Sequence, residues 1–304
     1  MFATVPRMES HAIEPHVERG TVATADIEFA YLTTGGTGPL ALCLHGFPDT
    51  AHTWRYLMPA LAARGYRAVA PFMRGYAPTS LAADGVYQTG ALAHDANRLH
   101  EALGGDGDAV IIGHDWGAVA THGAAVSEPD RWRRVVTMAV PPGPVLAGAF
   151  LNDLDQLRRS WYMFFLLHPL ANLIVPANDF AFISRLWSDW SPGYDASVDV
   201  AHVRESLADP EHLNAAITYY RATLGDATRA EQFSASQDAT MQIPPQPTMY
   251  LQGRNDGCVG AGLVEQAFAL YPEHVVPHMI DDAGHFLQLE QPDLVNKLVT
   301  EFIS

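Results

Sequence analysis

The run Ala109-Val-Ile-Ile-Gly113-His-Asp115-Trp-Gly117-Ala-Val-Ala sets a carboxylate in a tight turn between an apolar strand and a helix of small residues. That pattern is the geometry of a nucleophile elbow, in which the central side chain stands on strained backbone at the carboxyl end of a strand. Glycines flank such a turn because a Cβ there would collide with the neighbouring strand or helix. The common occupant is serine, whose hydroxyl a base must deprotonate, whereas a carboxylate is already an anion at neutral pH. Asp115 therefore suits displacement at an sp³ carbon, such as that of an epoxide or a carbon–halogen bond. The product of that attack is an ester on the protein, which water must then hydrolyse with the help of a base and an oxyanion hole. The plain alternative is an aspartate that only caps the following helix.

The residues needed for the second step are present. His285, in Asp281-Asp-Ala-Gly-His285-Phe, follows the last expected strand and precedes the final helix, where these folds carry the base. Met249-Tyr-Leu-Gln-Gly253-Arg-Asn-Asp256-Gly257 offers Asp256 after the preceding strand as the acid that orients it. The order Asp115, Asp256, His285 is that of nucleophile, acid and base. Asp281 and Asp282 are nearer to His285 in sequence, but adjacency along a loop does not aim a carboxylate at an imidazole, so they are read as solvated loop residues. His45-Gly46-Phe47-Pro48 follows an apolar strand and matches the loop that supplies one oxyanion amide, so the donors are the backbone N–H groups of Phe47 and Trp116. The Phe47-Pro48 bond is a candidate cis bond. The remaining histidines, His45 and His114 among them, are read as structural.

These groups have to be carried by a scaffold that brings strand ends together. Leu40 to Leu44, Ala68 to Pro71, Ala109 to Ile112 and Val135 to Ala139 read as strands, alternating with helical patterns at Trp54 to Ala63, Leu92 to Leu103 and Val119 to Val126. The rhythm predicts an α/β fold with a mainly parallel, doubly wound sheet covered by helices. It resumes with a strand from Thr248 to Leu251, a helix from Leu263 to Tyr271, a strand from His274 to Ile280 and a helix from Pro292 to Ile303. Residues 1–143 and 236–304 are thus expected to form the core. Residues 144–235, rich in aromatics such as Trp161, Tyr162, Trp187, Trp190, Tyr219 and Tyr220, are expected to form an inserted helical lid, most of whose aromatics pack and a few of which line a pocket.

The chain of 304 residues can bury a substantial core, and its net charge of −16, from 18 basic and 34 acidic residues, argues against nucleic acid or anionic membranes as partners. Cys43 and Cys258 are too few for a disulfide framework and are read as buried thiols in a reducing compartment. The first twenty residues hold Glu9, Glu14 and Glu18 and no apolar run, and nowhere does an apolar run reach membrane-spanning length, so a soluble, cytoplasmic protein is expected.

Taken together and in order, HGFP, GHDWG, GRNDG and DDAGHF resemble the epoxide hydrolase branch of the α/β-hydrolase fold, over essentially the whole chain. The resemblance implies two lid tyrosines that donate hydrogen bonds to the epoxide oxygen. Ser160-Trp-Tyr162-Met-Phe-Phe matches the first, and Asn214-Ala-Ala-Ile-Thr-Tyr219-Tyr220-Arg221 the second, with Tyr220 preferred and Tyr219 as the alternative. Phenols suit the task because an alkoxide is a poor leaving group and a donor of pKa near 10 stays protonated at rest. Trp116, Phe47 and Tyr219 are expected to contact substrate. No metal or cofactor is implied; the partners are a small apolar epoxide and water, with a homodimer left open.

Haloalkane and haloacetate dehalogenases share this nucleophile and are the main rivals. Phe47 stands where haloalkane dehalogenases usually carry Asn, and the arginines that haloacetate dehalogenases place after the nucleophile are missing. One departure from the epoxide hydrolase pattern lies in Pro71-Phe-Met-Arg74-Gly75-Tyr, which lacks the aspartate common before Arg-Gly. A catalytically silent binding protein on the same fold is a further reading, and an esterase is not, since the elbow holds no serine.

Overall fold

Apolar runs of five or six residues bounded by glycine, proline or charge are too short for a stable helix and form strands instead. The structure, a computed structural model, describes residues 17–304. Its strands are β1 (Glu18–Ala23), β2 (Glu28–Thr33), β3 (Leu40–Leu44), β4 (Arg67–Pro71), β5 (Val110–His114), β6 (Arg134–Met138), β7 (Thr248–Gly253) and β8 (Val275–Ile280). They form one sheet in the order β1-β2-β4-β3-β5-β6-β7-β8. β1 with β2 and β2 with β4 are antiparallel, and every other pair is parallel.

The register puts Ile112 of β5 between Cys43 of β3 and Val136 of β6, so Asp115 leaves the sheet at its centre. β3 and β5 are buried at every position, as expected of strands covered on both faces. Because β3, β5, β7 and β8 run parallel, the loops after them meet along one edge, which is where open α/β sheets bind ligands.

The two N-terminal strands were not anticipated. β1 (Glu-Arg-Gly-Thr-Val-Ala) is a mostly exposed edge strand with no apolar run to announce it. The helical pattern from Trp54 to Ala63 divides into a 3₁₀ turn at Ala51–Trp54 and a helix at Leu57–Ala63, and the one expected from Leu263 lies at Ala261–Phe268. The final helix spans Pro292–Ile303, as expected. The reading of the N-terminal segment as lacking a leader falls on residues 1–16, outside the described residues. Among the described residues no helix is long and apolar enough to cross a membrane.

Between β6 and β7 the chain is helical: Val145–Asn152, Leu154–Arg159, Trp161–Leu167, Ala171–Ile174, Ala177–Trp190, Ser197–Ser206 and Pro210–Leu224. Trp187, Trp190, Tyr162, Tyr219 and Tyr220 are buried, while Trp161 and Phe164, each 47% exposed, belong to the outer surface. The helix Ser234–Ala239 then packs against the helices Thr89–Ala102 and Trp116–Ser127, which flank the sheet. Trp187 Nε1 donates to the Pro48 carbonyl at 2.9 Å, tying the inserted helices to the loop after β3.

Arg74 fixes the placement of those helices. Buried in the loop after β4, it donates to both oxygens of Asp95 at 2.7 and 2.9 Å, to Asp84 at 2.9 Å and to the Val86 carbonyl at 3.0 Å. A guanidinium matched in this fork geometry holds its own backbone rigidly, and the Arg74 carbonyl in turn accepts the Tyr219 hydroxyl at 2.6 Å. The departure noted in the Arg74-Gly75 loop thus leaves it well anchored.

Candidate active site

Asp115 follows β5 with φ 53° and ψ −120°, a left-handed conformation that costs a non-glycine residue roughly 1–3 kcal/mol. Its side chain forms no cap hydrogen bond to the helix Trp116–Ser127, so the turn is not there to cap that helix. The close packing that the turn demands is visible at Gly117, where a Cβ would lie 2.1 Å from the Leu44 carbonyl oxygen. Gly46 is needed for the same reason, since a Cβ there would lie 2.3 Å from Asp115 Oδ1.

The loop after β3 carries a cis Phe47-Pro48 bond and aims the Phe47 N–H at Asp115 Oδ1, 2.8 Å away. The Trp116 amide, the other expected donor, opens its helix and makes no hydrogen bond among the described residues, as is usual for a first-turn N–H.

His285 and Asp256 stand beside the nucleophile. His285 Nδ1 lies 3.0 Å from Asp256 Oδ2, and its Nε2 lies 3.7 Å from Asp115 Oδ2, beyond hydrogen-bond reach. Asp256 is fixed on both oxygens: Oδ1 accepts from the amides of Cys258 (2.7 Å) and Val259 (2.9 Å), and Oδ2 accepts from Gln252 Nε2 (2.9 Å). Burial opposes a charge on His285, but the carboxylates of Asp256 and Asp115 on either side outweigh it and push the pKa up to about 10. The resting imidazole is therefore held as a cation between two anions.

His45 and His114 are buried and engaged with the backbone. His45 Nε2 accepts from the Met73 amide at 3.0 Å, and His114 Nε2 meets the His285 carbonyl at 2.9 Å. Burial lowers both, to about 4 and about 3, so neither carries charge at neutral pH. Asp281 pairs with Arg254 at the surface, away from the imidazole.

Asp115 lines a cavity together with Trp116, Tyr162, Tyr220 and Cys258. Val119, Val140, Leu146, Phe150, Met163 and Val259 make most of the remaining wall apolar, with Gln156 and Ser160 as its polar members. The Tyr220 ring packs edge-on against Phe47 at 5.2 Å, Trp116 at 5.1 Å and Tyr162 at 5.8 Å between centroids. Its hydroxyl is buried beside Trp116 and, like the Trp116 indole N–H, makes no hydrogen bond among the described residues. The Tyr162 hydroxyl has only Cys258 Sγ, 3.4 Å away. Burial holds both phenols well above their usual pKa, and the Asp115 carboxylate adds to it, so both remain protonated donors.

Two expectations need correction. Tyr219 is not a cavity residue: its hydroxyl is spent on the Arg74 carbonyl and its ring stacks on Tyr87 at 6.3 Å. The Phe47 side chain is fully buried behind Tyr220 and does not line the cavity, so its contribution is its amide.

Cys258 went unrecognised beyond being buried. A signal was available, because an Asp-Gly-x turn brings the amide two residues on to the aspartate oxygen and so draws residue 258 to the site with Asp256. Asp256, Cys258 and His285 offer ligand atoms within 4.8 Å of one another. They do not fit a metal, because Asp256 already accepts from four donors, one of them His285 Nδ1, and burial keeps the thiol protonated.

Residues 39–292 match the α/β hydrolase fold family. The chain is 29% identical to an epoxide hydrolase of Caballeronia sordidicola, with 94% of each chain covered. It is 27% identical to epoxide hydrolase B of Mycobacterium tuberculosis, covering 88% of this chain and 91% of that one. Among solved structures, an epoxide hydrolase from an endophytic Streptomyces superposes with a TM-score of 0.76 at 24% identity, over 94% of this chain and 95% of that one.

The two adjacent tyrosines separate by experiment. Tyr219→Phe strands the buried Arg74 carbonyl and should cost roughly 1–3 kcal/mol of stability, whereas Tyr220→Phe removes an unpartnered hydroxyl and should leave the denaturation midpoint unchanged or raised. Chemical denaturation of both variants checks this, and equal losses would contradict the assignment.

Proposed function

The chain belongs to the α/β-hydrolase fold family, and we propose that it is an epoxide hydrolase that opens an apolar epoxide to a vicinal diol. One observation carries the reading: two buried, protonated phenols share a cavity with the Asp115 carboxylate, and one of them has no hydrogen-bond partner among the described residues. A carboxylate alone would serve any displacement at carbon, but paired O–H donors are needed when the leaving group is an alkoxide that stays attached to the product.

The epoxide lies between the helices 144–235, acting as a cap, and the sheet. Phe47 N–H holds Asp115 Oδ1, so Oδ2 is the attacking oxygen. It forms a bond to a ring carbon as that carbon's bond to the epoxide oxygen breaks, and Tyr162 and Tyr220 hold the emerging alkoxide, one of them giving it a proton. The resulting ester is neutral, which removes one of the two anions that sustain the charge on His285. Its pKa falls, and the proton it sheds offsets the one lost by the phenol. The neutral imidazole then takes a proton from water as the water oxygen adds to Asp115 Cγ. Phe47 N–H, joined by Trp116 N–H, stabilises the oxyanion until the Cγ–O bond to the diol breaks and imidazolium returns the proton. Asp256 holds the ring and balances its charge.

The bare Trp116 indole N–H suits a halide as well, which keeps carbon–halogen cleavage as the second reading. A cytoplasmic setting fits the two free thiols, and no nucleic-acid partner fits the charge of −16.

Purified protein given styrene oxide should form diol, and given short haloalkanes should release no halide; the reverse pattern would transfer the reading to dehalogenation. His285→Gln should still form the ester and lose its hydrolysis by about 10²–10⁴-fold, the usual scale of general-base catalysis, so that intact-mass spectrometry shows the adduct. Since hydrolysis needs neutral His285, lowering the pH should slow ester decay before it slows ester formation. Rapid-quench measurements across pH would show the adduct accumulating on the acid side, and an adduct that instead accumulates on the alkaline side contradicts the scheme.

A further inference from the structure

The loop that carries His285 is held at successive amides, and the inserted helices supply two of the acceptors. Gly284 N–H donates to Glu290 Oε2 at 2.8 Å, His285 N–H to the Trp190 carbonyl at 3.0 Å and Phe286 N–H to Ser191 Oγ at 3.1 Å. Ser191 completes the ring by donating its own hydroxyl to Glu290 Oε1 at 2.6 Å. Trp190 and Ser191 form the C-terminal end of the helix Ala177–Trp190, and Glu290 ends the short turn Leu287–Glu290 after the histidine loop.

The same Trp190 carbonyl also accepts the Gly257 amide at 3.0 Å, so a single oxygen spans the loop of Asp256 and the loop of His285. There is no slack in this contact, because a Cβ on Gly284 would lie 2.6 Å from both Ser191 Cα and the Trp190 oxygen. The Trp190 ring faces His285 at 5.0 Å and Tyr162 at 4.8 Å. Neither Ser191 nor Glu290 touches the cavity or the reacting groups.

We propose that Ser191 and Glu290 form a clamp by which the inserted helices position His285 for ester hydrolysis, a role that rests on the reading of the site as an epoxide hydrolase. The imidazole meets Asp256 through one 3.0 Å contact and has to serve a water placed between itself and Asp115 Cγ. Both relations are set by the backbone of residues 284–286, and that backbone is set by the clamp. Ring opening uses Asp115 and the two tyrosines, none of which is hydrogen-bonded to Ser191 or Glu290. The clamp therefore bears on the second step and not on the first, and Ser191 and Glu290 are positioning residues.

The test is a rapid-quench single turnover of wild-type, Ser191→Ala and Glu290→Gln proteins with styrene oxide, following ester formation and decay by mass spectrometry. Ser191→Ala leaves the Phe286 amide and Glu290 Oε1 without partners. It should form the ester within about twofold of the wild-type rate and hydrolyse it about 10–100-fold more slowly, the scale set by small misplacements of a catalytic group. The pH midpoint of the decay rate should move down, because an imidazolium less well seated on Asp256 is a stronger acid. Glu290→Gln keeps an acceptor for Gly284 and should show the same change to a smaller degree, which preserves the test if Ser191→Ala fails to fold. Equal slowing of both steps, or decay with the wild-type rate and pH midpoint, would overturn the clamp. A wild-type protein that forms neither adduct nor diol would overturn the epoxide reading itself, and the clamp with it.

Discussion

Everything in this site depends on keeping one carboxylate ionised while it is nearly dry. Asp115 is only 6% exposed and accepts one hydrogen bond, from the Phe47 amide, where a carboxylate in water would accept several. Burying a charge with so few donors is tolerable only when a countercharge stands near, and His285, flanked by Asp115 and Asp256, supplies it. The under-solvated oxygen that results is what a nucleophile needs to be. The strained backbone at Asp115 belongs to the same bargain: the left-handed turn lifts the carboxylate off the strand axis towards the cavity, and the tight approach of Gly117 and Gly46 keeps it there.

Two layers divide the work. The sheet edge carries Asp115, the Phe47 amide, Asp256 and His285 on the loops after β5, β3, β7 and β8. The inserted helices carry the phenols. Their alignment is not left to apolar packing, which tolerates sliding by a turn. Arg74, ion-paired with Asp95 and Asp84, presents a carbonyl that captures the Tyr219 hydroxyl, and this rotates Tyr220 towards Asp115. A buried ion pair is a weak source of net stability but a strong source of geometric definition, and definition is what a donor at this position requires.

The parallel sheet and the gathering of Asp115, Asp256, His285 and Tyr162 were legible because each has a local signature: a period, a glycine-flanked turn, or a place in chain order. The choice between Tyr219 and Tyr220 was not, since adjacent helical residues differ by about a hundred degrees and the partner that decides lies at Arg74, far off in sequence. The loop motif at Phe47 specifies backbone, and the structure points its amide at Asp115, while the ring's surroundings come from the inserted helices and keep it out of the cavity. β1 escaped notice because an exposed edge strand need not bury an apolar face. Ser191 matters through its contacts with Phe286 and Glu290 on a distant loop, and no sequence pattern marks such contacts.

The electrostatics impose an order on the chemistry. At rest, burial, with the Asp115 charge added, keeps the phenols protonated, and the charges of Asp256 and Asp115 keep His285 protonated, so the site holds its proton donors loaded and its base blocked. A free base beside an unreacted carboxylate would serve no purpose, since water activated there has no ester to attack. Only esterification of Asp115 cancels that charge, and the same event creates the bond to be hydrolysed. The base is thus released by the intermediate it must act on, and it needs no conformational signal beyond the loss of one negative charge a few ångströms away.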